Sequence, residues 1–573
     1  MELIYTLQQG FHPLAVLMII SSQRVVRVIL IIALVTASLT AAWIGYQGWG
    51  WDDAHYVRAA KMWATSPPYV GQTHWELRLG FVLPLAAAVK LFGYNEPALV
   101  LVPVLFYLAL LIVTYVFAQR LLGTARAYVS VIVVASIPLL AAWATTPRVA
   151  IAEAFYLVLS FWCVAYVSLN PHRYRLPLMV SGVALGFAWL TRESALGFGL
   201  GLFALFLLGR PIPRRHYVWL LIGAGCVLLS EMTFYELATG NPFYRLFIDL
   251  NHGTITRADG EGPAAQAIVA TAAAGPNASF ADTLAAIRTF FGKLAHHFDW
   301  TKIGAQTPVT LLHINNWIDP YIQFFTEPYF GLIFWLAVPS AIYLFAASRE
   351  SRQVRIVVGL ILVLAAGSVI ASLYLLFLRP LPRYFVFTAY AAGIVVASAV
   401  VALWLRGHPR IAIVVMAALL TSDFLFMDAR RGLGLYNERR LIELMLSSPG
   451  PVITDSTTAD MASFLVATRP DLHEPGIGPP IPGAIYFLNP TRPRTAAEWS
   501  AIIVGVTQGY WAPVYEHVSS TKWLGSLLRD TGVSSLLPDY AVSRLARPYG
   551  SVRGYYSGWV DLDSRAVLWK TRK

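Results

Sequence analysis

Eleven long apolar stretches dominate this chain, and they commit it to a membrane. Nine contain no Asp, Glu, Lys or Arg: Val28–Trp51, Pro97–Gln119, Ala127–Pro147, Leu176–Thr191, Ser194–Gly209, His216–Ser230, Pro328–Ser348, Ile356–Leu378 and Tyr384–Leu405. Two more carry one acid each, Val149–His172 with Glu153 and Ile411–Met427 with Asp423. A helix rises about 1.5 Å per residue and the hydrocarbon core is about 30 Å thick, so about 20 apolar residues cross it. With 57% of 573 residues apolar and 13% charged, the composition is far from that of a soluble domain. The expected fold class is therefore an α-helical polytopic membrane protein of about eleven transmembrane helices.

A formal net charge of +12 would suit nucleic acid as a partner. The basic residues instead fall on alternate connections, which is the pattern of membrane orientation, and no nucleic acid is expected. A cytoplasmic N-terminus puts Arg24 and Arg27, Arg120 and Arg126, Arg173 and Arg175, and Arg210, Arg214 and Arg215 inside. Arg349, Arg352 and Arg355, then Arg406 and Arg410, follow the same rule. Loops 46–96, 145–148 and 239–327, and everything after Met427, then face outward. The first 23 residues lack the charged, apolar and cleavage-site order of a removable leader, so Val28–Ile44 reads as a retained signal anchor. These readings make the chain a multi-pass protein of the cytoplasmic (inner) membrane with its C-terminal part external or periplasmic. Cys163 and Cys226 both lie inside apolar runs, so no disulfide framework is expected in the external loops.

Two domains are expected. Residues 1–428 form the membrane domain, including external loops 46–96 and 239–327. In 429–573 the apolar runs shorten to strand length, as in Pro451–Thr454 and Ala501–Val504, between helix-like stretches at Asn437–Leu446 and Trp523–Leu528. That alternation predicts a small exported α/β domain.

Polar residues gather at the outer boundary. The first external loop opens Trp49-Gly-Trp-Asp52-Asp53-Ala-His55-Tyr56 and continues His74-Trp-Glu76-Leu-Arg78. Asp52 and Asp53 have two readings, as caps of the helix that follows or as a functional pair. Leu79–Val89 is apolar but too short to span, so it is predicted to lie along the interface. Glu153 sits near the outer end of the fourth span. A carboxylate there is either functional or a hydrogen-bonded structural acid that shields Arg148. Arg148, Arg192 and Arg383 share this side, and acids with cations at one hydrocarbon boundary suit a substrate with a buried lipid tail and an anionic head. Pro380-Leu-Pro-Arg383-Tyr384 also fits a tight turn with an interfacial tyrosine. Asn277-Ala-Ser279 matches the N-glycosylation pattern, with meaning only in a host that modifies exported asparagines.

Trp-Asp-Asp-Ala-His-Tyr after the first span, Glu-x-Arg before the short interfacial run, Thr146-Pro-Arg-x4-Glu153 and Leu190-Thr-Arg192 together resemble the GT-C glycosyltransferases. The chain is similar to the branch that holds the protein O-mannosyltransferases and the lipid A aminoarabinose transferase, over about residues 24–405. The resemblance implies a transferase that moves a sugar from a polyprenyl-phosphate donor to an acceptor hydroxyl at the external face. The acceptor, whether lipid, polysaccharide or protein, is left open. Among the catalytic acids Asp52, Asp53 and Glu153, the family's first acid maps to Asp52, which implies the base. Asp53 stands where the family usually has Glu. His55 stands where the aminoarabinose branch has Arg, and an unperturbed imidazole titrates near ~6.5.

Arg78 matches a basic residue of that branch; with His55, Arg192 and Arg383 it forms the expected phosphate-binding set. His74, Glu76, Arg148 and Tyr56 are expected to line the site. An attacking hydroxyl must shed its proton to a carboxylate, and the phosphate leaving group needs neutralisation by Arg or a metal. One displacement inverts the anomeric centre. Glu76 and His252 are acceptable ligands for a divalent metal ion such as Zn²⁺, although two residues on different loops specify no geometry. His252 reads more readily as a surface or loop histidine than as a ligand. The alternative class, a transporter or flippase of a lipid-linked substrate, would show repeated halves and charges at mid-membrane. Here the acids sit at one edge.

Overall fold

The computed structural model describes residues 51–255, 288, 330–346, 350–372, 382–430, 436–448, 450–469, 471–478, 484–488, 511–517, 552–553, 559–560 and 565–571. The first polar loop folds into α1 Trp51–Thr65 and α2 Leu79–Phe92. The apolar stretches follow as α3 Glu96–Leu122, α4 Thr124–Ser136, α5 Pro138–Trp143, α6 Val149–Leu169, α7 Arg175–Thr191, α8 Ala195–Leu208 and α9 Tyr217–Thr239. After α10 Tyr244–Ile255 come α11 Ile333–Ala346, α12 Arg352–Ile370, α13 Val386–Leu405 and α14 Pro409–Arg430. Within the described residues each apolar stretch after residue 96 is thus mainly helical, whereas the first, Val28–Trp51, lies almost wholly outside them. Among the described residues, five helices are long and apolar enough on their own to cross a membrane: α3, α6, α9 with its preceding turn, α12 and α13.

Local chemistry sets the boundaries. Asn95 caps α3 by accepting from the Ala98 amide at 3.0 Å, and Pro97 sits in its first turn. Ser351 caps α12 in the same way. Two boundaries differ from the sequence expectation. The run Ala127–Pro147 is not one helix, because Pro138 forces Ile137 out of helical geometry, with ψ at 117°. The Ala135 carbonyl beside the break accepts from Tyr107 Oη at 2.9 Å, which meets the requirement that backbone inside lipid be satisfied within the protein. The seventh span does not end at Ser230 either. Glu231 pairs with Arg245 at 3.2 Å, and with its charge matched the helix runs on to Thr239.

α13 is the central post, with 94% of its apolar window buried. Where α7 crosses α9 the backbones touch. A Cβ at Gly182 would lie 2.0 Å from the Leu220 carbonyl oxygen, and one at Gly223 would lie 2.1 Å from that of Met179. Small residues at such a crossing are what lets helices pack closely in lipid. The helices alternate in direction, so the starts of α6, α8 and α13 share one end of the bundle with the finishes of α7 and α9. At the opposite end, Glu350 binds Arg126 at 2.7 Å and Arg406 at 3.3 Å. The 20 residues of α13 separate the two ends by about 30 Å.

Beyond 430 the structure holds α15 Tyr436–Ser447, α16 Ser456–Ala467 and a sheet in the order β2 Gly476–Ile477, β1 Val452–Thr454, β3 Ile485–Leu488, β7 Arg565–Thr571, β4 Trp511–His517. β1 is parallel to β2 and β3, while β7 runs antiparallel to β3 and β4. A separate hairpin pairs β5 Val552–Arg553 with β6 Trp559–Val560. The expected strand Ala501–Val504, the helix Trp523–Leu528, the sequon at Asn277 and almost all of the loop after Ile255 lie outside the described residues. α16 docks on α1 and α2: Met461 and Phe464 are buried in one cluster with Ala54, Val57 and Phe81. Tyr94 Oη meets Ser463 Oγ at 2.7 Å, and Arg439 grips Glu96 at 2.7 and 2.8 Å.

Candidate active site

α1 opens with two acids in its first turn, where the helix dipole favours them, but its capping geometry is not their main environment. Each is taken by a different arginine. Arg383 Nη1 donates to Asp52 Oδ2 at 2.6 Å, and Arg148 Nε faces both oxygens of Asp53 at 3.1 and 3.3 Å. Asp53 is fully buried, whereas the Asp52 side chain keeps 30% exposure. Burial alone would raise the Asp52 pKa. Arg383 first, then Arg148, Arg78 and Arg192, outweigh it and hold the carboxyl below its ordinary value.

Arg383 sits on the short turn Pro382–Tyr384 that leads into α13. Its carbonyl accepts from Arg192 Nη1 at 2.7 Å, and the same Arg192 nitrogen reaches Glu153 Oε2 at 3.2 Å. Ser194 Oγ donates to the other Glu153 oxygen. Glu153 therefore does not shield Arg148: it pairs with Arg192, and Arg148 belongs to Asp53. The Tyr384 ring is near both guanidinium groups, 5.6 Å from that of Arg192 and 5.4 Å from that of Arg383.

Arg78 precedes α2, which approaches α7 at a glycine: a Cβ on Gly80 would lie 2.3 Å from Thr191 Oγ1. This brings the buried Arg78 guanidinium to Tyr56 Oη at 3.3 Å and to Glu193 Oε2 at 3.4 Å, with its Nε making no hydrogen bond. Glu193 also accepts from Arg245 Nη2 at 3.0 Å. Arg245 in turn donates to the Trp189 carbonyl at 2.6 Å and stands 3.4 Å from Asp249. Three acids thus surround Arg245. Despite burial, Arg78 and Arg245 hold Glu193 ionised; burial, with the charge of Glu193, pushes the Asp249 carboxyl well up.

The third group lies on the outer face of α1. His55 stacks on Trp75 at 4.6 Å, and its Nδ1 accepts from Arg58 Nη2 at 3.2 Å. Burial, then the Arg58 charge, drive its pKa down to about 4. A neutral imidazole offers a phosphate a hydrogen bond and no charge, so positive charge in this site comes from arginine. Arg58 Nε also donates to Glu76 Oε1 at 2.9 Å, while Tyr69 Oη and the Gln72 amide reach Glu76 Oε2 at 3.0 and 2.8 Å. His74 is buried against Trp75. Glu76 is committed to these partners, and the side chain of His252 lies outside the described residues. Among the described residues no group of three or more His, Cys, Asp or Glu is placed to hold a metal.

One end of the bundle thus collects Asp52, Asp53, His55, Tyr56, His74, Glu76, Arg78, Arg148, Glu153, Arg192 and Arg383. Sequence reasoning missed Arg58, Glu193, Ser194, Glu231 and Arg245. Arg58 follows His55 by three residues, one helical turn along the same face. Glu193 and Ser194 directly follow Arg192 between two apolar runs. Arg245 has one local cue in Asp249, four residues further along the same helix, but its other partners, Trp189, Glu193 and Glu231, come from distant parts of the chain.

Residues 80–233 match the sequence profile of the family described as dolichyl-phosphate-mannose-protein mannosyltransferase. That segment holds Arg148, Glu153, Arg192, Glu193 and Glu231. No curated protein matches the chain in sequence. Among solved structures, the oligosaccharyltransferase AglB from Archaeoglobus fulgidus, in complex with an inhibitory peptide and a dolichol-phosphate, is 12% identical with a TM-score of 0.47, covering 85% of this chain and 72% of that one. ArnT from Cupriavidus metallidurans bound to undecaprenyl phosphate is 13% identical with a TM-score of 0.38, covering 89% and 95%. The chain is a membrane protein of apolar helices, and its resemblance to the GT-C glycosyltransferases is borne out by the family match over residues 80–233.

Proposed function

We propose that the chain transfers a sugar from a polyprenyl-phosphate donor to an acceptor hydroxyl of a lipid, polysaccharide or protein, at the external face of the membrane and with inversion, Asp52 acting as base. The observation that carries this reading is the unequal treatment of three acids at one bundle end. Asp53 and Glu153 are closed in by Arg148, Arg192 and Ser194, while Asp52 alone keeps a quarter or more of its side chain open. A base must touch an incoming hydroxyl, so among these three acids exposure selects Asp52. The surrounding arginines suit the other half of the reaction. A leaving phosphate is already anionic and needs charge neutralisation rather than a proton, and guanidinium groups supply it. Alternation of the basic connections supports the outward orientation of this end.

The direct test is Asp52→Asn in membranes or detergent, assayed for sugar transfer from lipid-linked donors. Loss of a general base costs about 10² to 10⁴ in rate, so transfer should fall by that range while the protein still inserts. Turnover at the parental rate would remove Asp52 as base and leave Glu153 as the next candidate.

A further inference from the structure

We propose that Arg383 has two partners in succession: it neutralises Asp52 in the resting enzyme and passes to the donor's phosphate when the donor binds, so that the donor itself releases the base. This rests on the reading above that Asp52 is the base and that the donor carries a phosphodiester. Three observations on the page support it. The Asp52–Arg383 contact, at 2.6 Å, is open on both sides, with 30% and 39% of the two side chains exposed. By contrast, the Glu153–Arg192 pair is closed on both sides and Asp53 is wholly buried. The backbone under Arg383 is pinned by Arg192, so its guanidinium can swing without the turn moving. Finally, the guanidinium fork fits a phosphate at least as well as a carboxylate.

The chemistry makes the exchange useful. A carboxylate whose oxygen already holds a guanidinium is a poor proton acceptor. Arg383 is the largest of the charges that hold Asp52 down. Once it turns to phosphate, the groups still facing Asp52 are Arg148 before α6, Arg78 before α2 and Arg192 after α7, with Asp53, neutral His55 and Tyr56 on its own helix. Burial and the new phosphate charge then both favour the proton, and the carboxylate becomes a better base as the acceptor hydroxyl attacks.

The exchange predicts an outcome that damage to the fold does not. Binding of a polyprenyl methyl phosphodiester, which has no sugar and no titrating proton, is measured to the full-length protein in detergent micelles. Asp52→Asn removes the rival for Arg383 and should tighten binding about fivefold or more at neutral pH, within the usual range of coupling between sites. Arg383→Gln should weaken binding, and adding Asp52→Asn to it should restore nothing. Wild-type protein offers a check without substitution: at about pH 5, calorimetry in two buffers of different ionisation enthalpy should show proton uptake on binding, and Asp52→Asn should abolish it. Unchanged or weaker binding by Asp52→Asn, or no proton uptake in the wild type, overturns the exchange. If Asp52→Asn loses transfer yet binds no tighter, the exchange fails and the base stands. If it keeps full transfer, the base assignment itself falls.

Discussion

Asp53 faces Arg148 with both carboxylate oxygens and has no exposed surface, so its amide analogue keeps the shape and loses the charge. Hydrogen bonds to charged groups contribute about 1.5–3 kcal/mol. Asp53→Asn should therefore lower thermal stability by an amount of that order, while reducing transfer much less than Asp52→Asn does. Equal loss of activity in the two variants, at normal stability, would assign Asp53 a direct role. His55 gives a pH signature. Its folded pKa of about 4 lies below its ordinary 6.5, so between these values the unfolded chain binds a proton that the folded one does not. Stability should then rise with pH across that window, be complete above about 6.5 and be lost as pH falls through it towards 4. Unfolding midpoints of wild type and His55→Gln, followed from pH 7 to about pH 4, should converge towards the acid end. Much of this site was legible in sequence because a charge that interrupts an apolar run is costly and stands out. The pairings were not legible: Asp52 and Arg383 are 331 residues apart, and no local pattern encodes which arginine meets which acid.

At the scale of elements, the crossing of α7 and α9 positions the site from a distance, since Arg192 and Glu193 directly follow the last residue of α7. A side chain at Gly182 or Gly223 would meet backbone carbonyl rather than a movable side chain. Overpacking costs about 1–3 kcal/mol, so Gly223→Ala should lower the unfolding temperature and reduce transfer together. Gly225→Ala, on the same helix with nothing within 4 Å, should do neither. If both variants behave alike, the crossing is not what sets the helix spacing. Helix positions could be read because lipid demands long apolar runs. Helix ends were harder. Pro138 broke a run that hydropathy alone treats as continuous, and Glu231 extended one that charge counting cuts short, since its partner Arg245 comes from another element.

Across the whole molecule, two clusters of charge lie at opposite ends of α13, with apolar helices between them. The basic clusters on alternate connections foreshadowed this polarity, because such charges are read during insertion. The tail was legible only in part. Tyr436–Ser447 and Val452–Thr454 fall on stretches whose local pattern is clear, but β7 joins β3 and β4 from far along the chain, and long-range strand pairing leaves no local trace. The docking of α16 on α1 has a consequence in time. Ala54 and Val57 leave the ribosome early, and Met461 and Phe464, which complete their packing, are made when most of the chain already exists. At about 5–20 residues per second, the helix that bears Asp52 waits about 20–80 s for its cover. Any nascent or truncated chain that stops short of α16 leaves the packing of Ala54 and Val57 unfinished, so the helix that bears Asp52 gains its full cover only after residues 456–467 have been made.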